Sequence, residues 1–142
     1  MLNTVLVAID VAEASASQVL SMVKDLKLEA RSKVVLSHVV PTNQSEVDIV
    51  VDRPSADLES FPYAQIEKQL QTYQERLECQ SELEIVTGDP AEEILRLAKI
   101  HSADLIVLGS RGLTGMKRIL LGSVSSQIVE DAPCSVLVVK PK

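Results

Sequence analysis

The stretch Asp104–Val139, DLIVLGSRGLTGMKRILLGSVSSQIVEDAPCSVLVV, decides how this chain of 142 residues is to be read. Asp104–Leu108 is an apolar run with no polar alternation, as a strand covered on both faces requires, and Gly109 stops it. Ser123–Asp131 carries apolar residues at helical spacing, and Ser135–Val139 (SVLVV) returns to the buried-strand pattern. Strand, glycine-bearing loop, helix and strand in that order describe one right-handed crossover of a parallel sheet.

The same alternation extends back to the N-terminus. Thr4–Ile9 (TVLVAI) is a β-branched apolar run, and residues 12 to 28 place Val19, Leu20, Val23 and Leu26 on one helical face, with Glu13 in the first turn. Lys33–Val40 (KVVLSHVV) is a second buried strand, closed by Pro41, which cannot extend a ladder. Residues 41 to 61 hold two prolines and several turn formers, and read as a long loop. A helix resumes at Pro62 through Ile66, Leu70, Tyr73 and Leu77, with the proline in its first turn. Ser81–Val86 alternates polar and apolar residues like an edge strand. In Gly88-Asp89-Pro90, Asp89 suits the cap of a helix whose first residue is Pro90 and whose inner face is Ile94, Leu95, Leu97 and Ala98.

Five strands alternating with helices imply an α/β fold: an open parallel sheet with helices on both faces and strand order 3-2-1-4-5, occupying residues 1–142 as a single domain. In that order the direction of winding reverses between the first and fourth strands. A ligand belongs outside their carboxyl ends, which are Asp10 and Gly109.

Bulk composition narrows the functions open to such a fold. Apolar residues at 46% and charged residues at 24% suit a globular core. A net charge of −6 sets the overall field against nucleic acid and anionic membranes. No apolar run approaches the roughly 18 residues of a membrane span, and MLNTVLVAID lacks the basic start and cleavage site of a signal peptide. A cytoplasmic location is the expectation. Cys79 and Cys134, the only two cysteines, lie far apart without metal-ligand spacing and read as reduced thiols. His38 and His101 have no ligand partner at metal spacing and read as structural, although His38 stands beside a possible pocket.

The glycines carry the chemistry. Gly109, two residues, Gly112, nine residues, then Gly122-Ser123 lead from a buried strand into a helix, and Gly115 lies between. Without a Cβ, successive amides can converge on a phosphate, and the helix starting near Ser123 adds unpaired donors and a partial positive charge. Arg111, Lys117 and Arg118 concentrate positive charge in an otherwise acidic chain. Ser110 and Ser125 would set further hydroxyls beside the proposed phosphates, although loop hydroxyls more often bond backbone or water. The alternative is that these glycines only turn the chain and that Ser123 only caps its helix; likewise Asp10 could simply cap the helix that follows it. Neither a Walker A loop nor a GxGxxG fingerprint is present.

The segment LIVLGSRGLTGMKRILLGSVSSQIVEDAPCSVLVVK closely resembles the C-terminal half of the universal stress protein family. Gly109, Gly112, Gly122 and Ser123 match the glycine pattern of its nucleotide-binding members at every step. VLVAID, ending in Asp10, and SHVV, at the end of the second strand, extend the likeness. The resemblance implies an adenine-nucleotide alpha-hydrolase-like fold that binds ATP, with AMP or ADP as alternatives and Mg²⁺ as a companion. It implies that Asp10 contacts ribose or base, that Val39 meets adenine through its backbone, and that Ala8 and Ile9 form the pocket wall. Gly109, Ser110, Arg111, Gly112, Gly122, Ser123, Val124 and Ser125 would hold phosphates and ribose. It further implies a homodimer formed by pairing of the Ser135–Val139 edge strands, acting in stress response or signalling; the alternatives are a slow ATPase or an enzyme that transfers phosphate or adenylate, and a dimeric scaffold that binds no nucleotide. Val11-Ala12 departs from the Gly-Ser or Phe-Ser pair common after this aspartate, so that turn lacks a hydroxyl. No general base and no pair of metal-binding carboxylates is visible, so no catalytic or metal residue is assigned and hydrolysis is expected to be slow at most.

Overall fold

The computed structural model describes residues 2–9, 15–41, 55–109 and 123–140. In chain order the elements are β1 (Thr4–Ala8), α1 (Ser15–Asp25), β2 (Lys33–Pro41), α2 (Ser55–Gln74), β3 (Gln80–Gly88), α3 (Pro90–Ile100), β4 (Leu105–Gly109), α4 (Ser123–Asp131) and β5 (Ser135–Val139). The strands form one sheet in the order β3-β2-β1-β4-β5, and every pairing is parallel. The winding therefore reverses at β1 and β4, as the sequence predicts.

Strand alternation divides the core into two layers. On one face Val5, Val7, Val34, Leu36 and Val107 pack with Val19, Leu20 and Val23 of α1 and Leu70 and Tyr73 of α2. On the other Leu6, Val35, Val39, Ile106 and Leu108 pack with Ala91, Ile94, Leu97 and Ala98 of α3 and Ile128 of α4. Leu6, Val7, Leu36, Ile106 and Val107 are wholly excluded from solvent, which is why these strands read as continuous apolar runs. Buried on both sides, they have no wet face to require alternation. The edge strand β3 does alternate, and Gln80, Glu82 and Thr87 are exposed.

Several boundaries differ from the sequence reading. The β2 strand takes in Pro41, which pairs with Gly88; its missing N–H lies on the side that looks past the end of β1 and not on the β3 ladder. The α2 helix ends at Gln74, short of Leu77. The α2 helix begins at Ser55, so the end of the expected 41–61 loop is helical and Pro62 lies inside the helix. A proline here removes one backbone donor. The SADLES stretch before it contains no other helix breaker, and packing of Leu70 and Tyr73 on the sheet anchors the helix. The α1 helix stops at Asp25 because Lys27 adopts a left-handed backbone with φ 51°. Apolar spacing through Leu26 continues past that turn and no glycine announces it.

The strands' amino ends are fastened by Asp104. Its carboxylate accepts the amides of Thr4 and Asn3, both at 2.9 Å, while its own amide donates to the Thr4 carbonyl at 2.8 Å. These two amides hold the carboxyl below its usual range, the Thr4 bond first. At the opposite end of the sheet, Asp89 caps α3 by accepting the Glu92 amide at 3.0 Å, with Pro90 in the first turn.

Candidate functional site

The ladders end at different heights, and this shapes the crevice. Pairing of β1 with β2 runs from Thr4↔Lys33 to Ala8↔Ser37, whereas β2 with β3 continues to Pro41↔Gly88. Residues 38 to 41 of β2 thus project beyond the end of β1. The Ile9 amide donates to the Ser37 carbonyl at 2.8 Å, so the backbone groups of Ser37 face β1. Those of Val39, two residues on, face the same way because strand groups alternate with period two. The Val39 side chain is buried in the core at 4% exposure. What Val39 turns toward the crevice is therefore its amide and carbonyl.

Ala8 is half-buried at the end of β1, and the Ile9 side chain is buried on the α1 face. Both backbone groups of Ile9 are engaged: the amide with Ser37, and the carbonyl with His38 Nδ1 at 2.8 Å. A carbonyl only accepts, so Nδ1 carries the proton in this contact. Ser37 adds a hydroxyl bond to the Val7 carbonyl at 3.0 Å. Sequence reading passed over Ser37. The available signal was a serine and a histidine inside an otherwise apolar strand, since such polar groups survive burial only with partners.

Across the crevice, Gly109 ends β4 and pairs with Val139. Ser123 is exposed at the start of α4, Val124 is half-buried, and Ser125 is fully buried. The Ser125 hydroxyl donates to the Gly109 carbonyl at 3.1 Å, joining the helix start to the strand end. The first turn of α4 contains no acidic side chain, whereas that of α3 carries Glu92 and Glu93 behind the Asp89 cap. The positive end of the α4 dipole is thus not neutralised by its own residues. Asp10, Ser110, Arg111, Gly112 and Gly122 lie outside the described residues, as do Glu13, Gly115, Lys117 and Arg118.

The other candidate groups are accounted for elsewhere. His101, the C-terminal cap of α3, places Nε2 2.6 Å from Glu84 and Nδ1 3.6 Å from Glu82 on β3. It ties a helix to the edge strand, in keeping with its structural reading. Cys79 and Cys134 are free and half-buried, and burial pushes both thiols up. Neither is poised as a thiolate nucleophile. Among the described residues no cluster of three or more His, Cys, Asp or Glu could hold a metal, and no helix is long and apolar enough to cross a membrane.

With this geometry in place, comparison with known proteins identifies the lineage. The profile of the Universal stress protein family matches residues 1–140. The chain belongs to the universal stress protein family. Universal stress protein YxiE of Bacillus subtilis is 33% identical over 150 residues, covering 99% of this chain and all of that one. Universal stress protein MJ0531 of Methanocaldococcus jannaschii is 53% identical over 57 residues, and that match spans only 34% of its length. Among solved structures, MJ0577 of the same archaeon superposes with a TM-score of 0.83 at 30% identity, covering 99% of this chain and 96% of its own. Two more distant structures share the fold. A universal stress protein in complex with cAMP has a TM-score of 0.66 at 22% identity, covering 98% and 97% of the two chains. The Archaeoglobus fulgidus protein in complex with dAMP has 0.60 at 19%, covering 97% and 98%.

Proposed function

We propose that this universal stress protein binds an adenine nucleotide, ATP with Mg²⁺ in the first instance and AMP or ADP as alternatives, at the carboxyl ends of β1 and β4. The observation that carries this reading is the overhang of β2 beyond β1, which turns the Val39 amide and carbonyl toward the switch point. A backbone donor and acceptor side by side match the edge of an adenine ring. Opposite them, Gly109 leads into a segment with the spacing Gly109, Gly112, Gly122-Ser123, and α4 begins there without an acidic residue in its first turn. Phosphates fit such a helix start. That two proteins of the same fold hold cAMP and dAMP supports an adenine ligand.

In this reading Asp10 meets the ribose or base, Ala8 and Ile9 wall the pocket, and Gly109, Ser110, Arg111, Gly112, Gly122, Ser123 and Val124 surround the ribose and phosphates. The protein acts as a nucleotide-dependent stress-response or signalling module in the cytoplasm. Nucleotide changes its behaviour to the extent that ATP binds one conformation more tightly than another. Hydrolysis is at most slow in this reading, since no general base is positioned for it among the described residues. Two chains pair through β5, whose Val136, Leu137 and Val138 are half-exposed at the sheet edge. Such an edge invites a second strand.

Titration calorimetry tests the site. Mg·ATP binds the wild-type chain with one site per chain, and Gly112→Val abolishes the heat while the far-ultraviolet dichroism stays unchanged, because the added methyls block close phosphate approach. Wild-type affinity in Gly112→Val contradicts the placement of the phosphates. Sedimentation equilibrium tests the dimer, which should show twice the 15.5 kDa of one chain.

A further inference from the structure

The carbonyl of Ile9, one residue past β1, and that of Gly109, the last residue of β4, are both taken by buried side-chain donors from neighbouring elements. His38, at 6% exposure, holds the Ile9 carbonyl, and Ser125, at 0%, holds that of Gly109. Ile9 directly precedes Asp10, and Gly109 directly precedes the glycine segment. A strand-end carbonyl at a sheet rim is ordinarily satisfied by water, so sheet formation alone does not call for either bond. Each bond is also long-range, spanning 29 positions for His38 and 16 for Ser125. The Ser125 bond joins the start of α4 to the end of β4 and so fixes these two points of the crevice relative to each other.

We infer that His38 and Ser125 are positioning residues for nucleotide: they act through the Ile9 and Gly109 carbonyls to fix the two chain exits that flank the ligand, and touch no ligand themselves. This rests on the nucleotide-binding reading and deepens it. The physical basis is preorganisation. Ordering the exits before the ligand arrives removes part of the entropy that binding would otherwise lose. It also holds the two carbonyl dipoles on protein donors, so they need not reorient as phosphate charge enters the crevice. For Ser125 this replaces direct phosphate contact, because its only hydroxyl proton is engaged with Gly109.

The test separates affinity from stability. Ser125→Ala weakens Mg·ATP binding by about three- to tenfold, the range expected for one net hydrogen bond, in calorimetry at a temperature where the variant is fully folded. Ile128→Val trims the buried face of the same helix, lowers the melting temperature, and leaves affinity at the wild-type value. His38→Leu weakens binding as Ser125→Ala does. His38→Asn, whose amide nitrogen can stand where Nδ1 stands, restores it. Wild-type affinity in Ser125→Ala and His38→Leu overturns the inference while leaving the nucleotide site intact. Equal weakening by Ile128→Val also overturns it, reducing Ser125 to a stabiliser of α4. Absence of Mg·ATP binding by the wild-type chain overturns the underlying reading and the inference with it.

Discussion

Replacing Gly88 with alanine tests whether the β3–α3 turn is held in a conformation that only glycine adopts. Gly88 has φ +150°, and a Cβ built there would lie 3.0 Å from Glu93 Cγ. Two effects therefore add. The backbone strain of a positive φ in a residue with a side chain is about 1–3 kcal/mol. The crowding can be relieved if Glu93 swings away, at the expense of its exposed pair with Arg96 at 2.6 Å, which contributes little. The backbone effect should dominate. For a domain of this size each kcal/mol moves the melting temperature by about 4 °C, so Gly88→Ala should melt about 4–12 °C lower. Differential scanning calorimetry measures this directly. The double variant Gly88→Ala/Glu93→Ala separates the causes, since it removes the crowding and keeps the strain. If the single variant melts at the wild-type temperature, the strain argument is refuted. If the double variant recovers fully, crowding and not backbone conformation was responsible.

Three further outcomes follow from the described contacts. The Asp104 carboxyl is depressed by the Thr4 and Asn3 amides, so its contribution to stability is present above the unfolded carboxyl pKa of about 3.9 and fades as pH falls through the lower folded value. Asp104→Asn should lower the melting temperature at pH 7 and flatten its acid dependence, as melts between pH 7 and pH 2 would show; a curve parallel to wild type contradicts this. His101→Ala removes the contact to Glu84 at 2.6 Å and should cost about 1–3 kcal/mol in urea unfolding, with Glu84→Ala and the double variant showing coupling between the two sites. Leu70→Ala, at a position with 0% exposure, should cost about 2–5 kcal/mol; a loss under 1 kcal/mol would mean that α2 does not anchor on the sheet as described.

Much of this architecture is written in local patterns. The β-branched runs of β1, β2, β4 and β5 and the Gly88-Asp89-Pro90 turn depend on neighbours in sequence, and their readings agree with the structure to within a residue or two. The start of α2 was not legible, because a proline that favours a first turn is also tolerated inside a helix whose later turns pack on a sheet. The end of α1 hinges on a left-handed lysine instead of the usual glycine. In the crevice, the glycine spacing could be read directly, since it reflects a local backbone requirement. The bonds of His38 and Ser125 could not. Their partners are set by which strand ends come together, and only the anomaly of polar residues in KVVLSHVV hinted at one of them.

The most direct measurement of the central claim is to denature the protein as purified, separate the supernatant, and identify any released nucleotide by mass, with equilibrium dialysis against millimolar Mg·ATP on the stripped chain. The account predicts close to one adenine nucleotide per chain, either carried through purification or taken up in dialysis. No nucleotide released and none bound at millimolar ATP would contradict it.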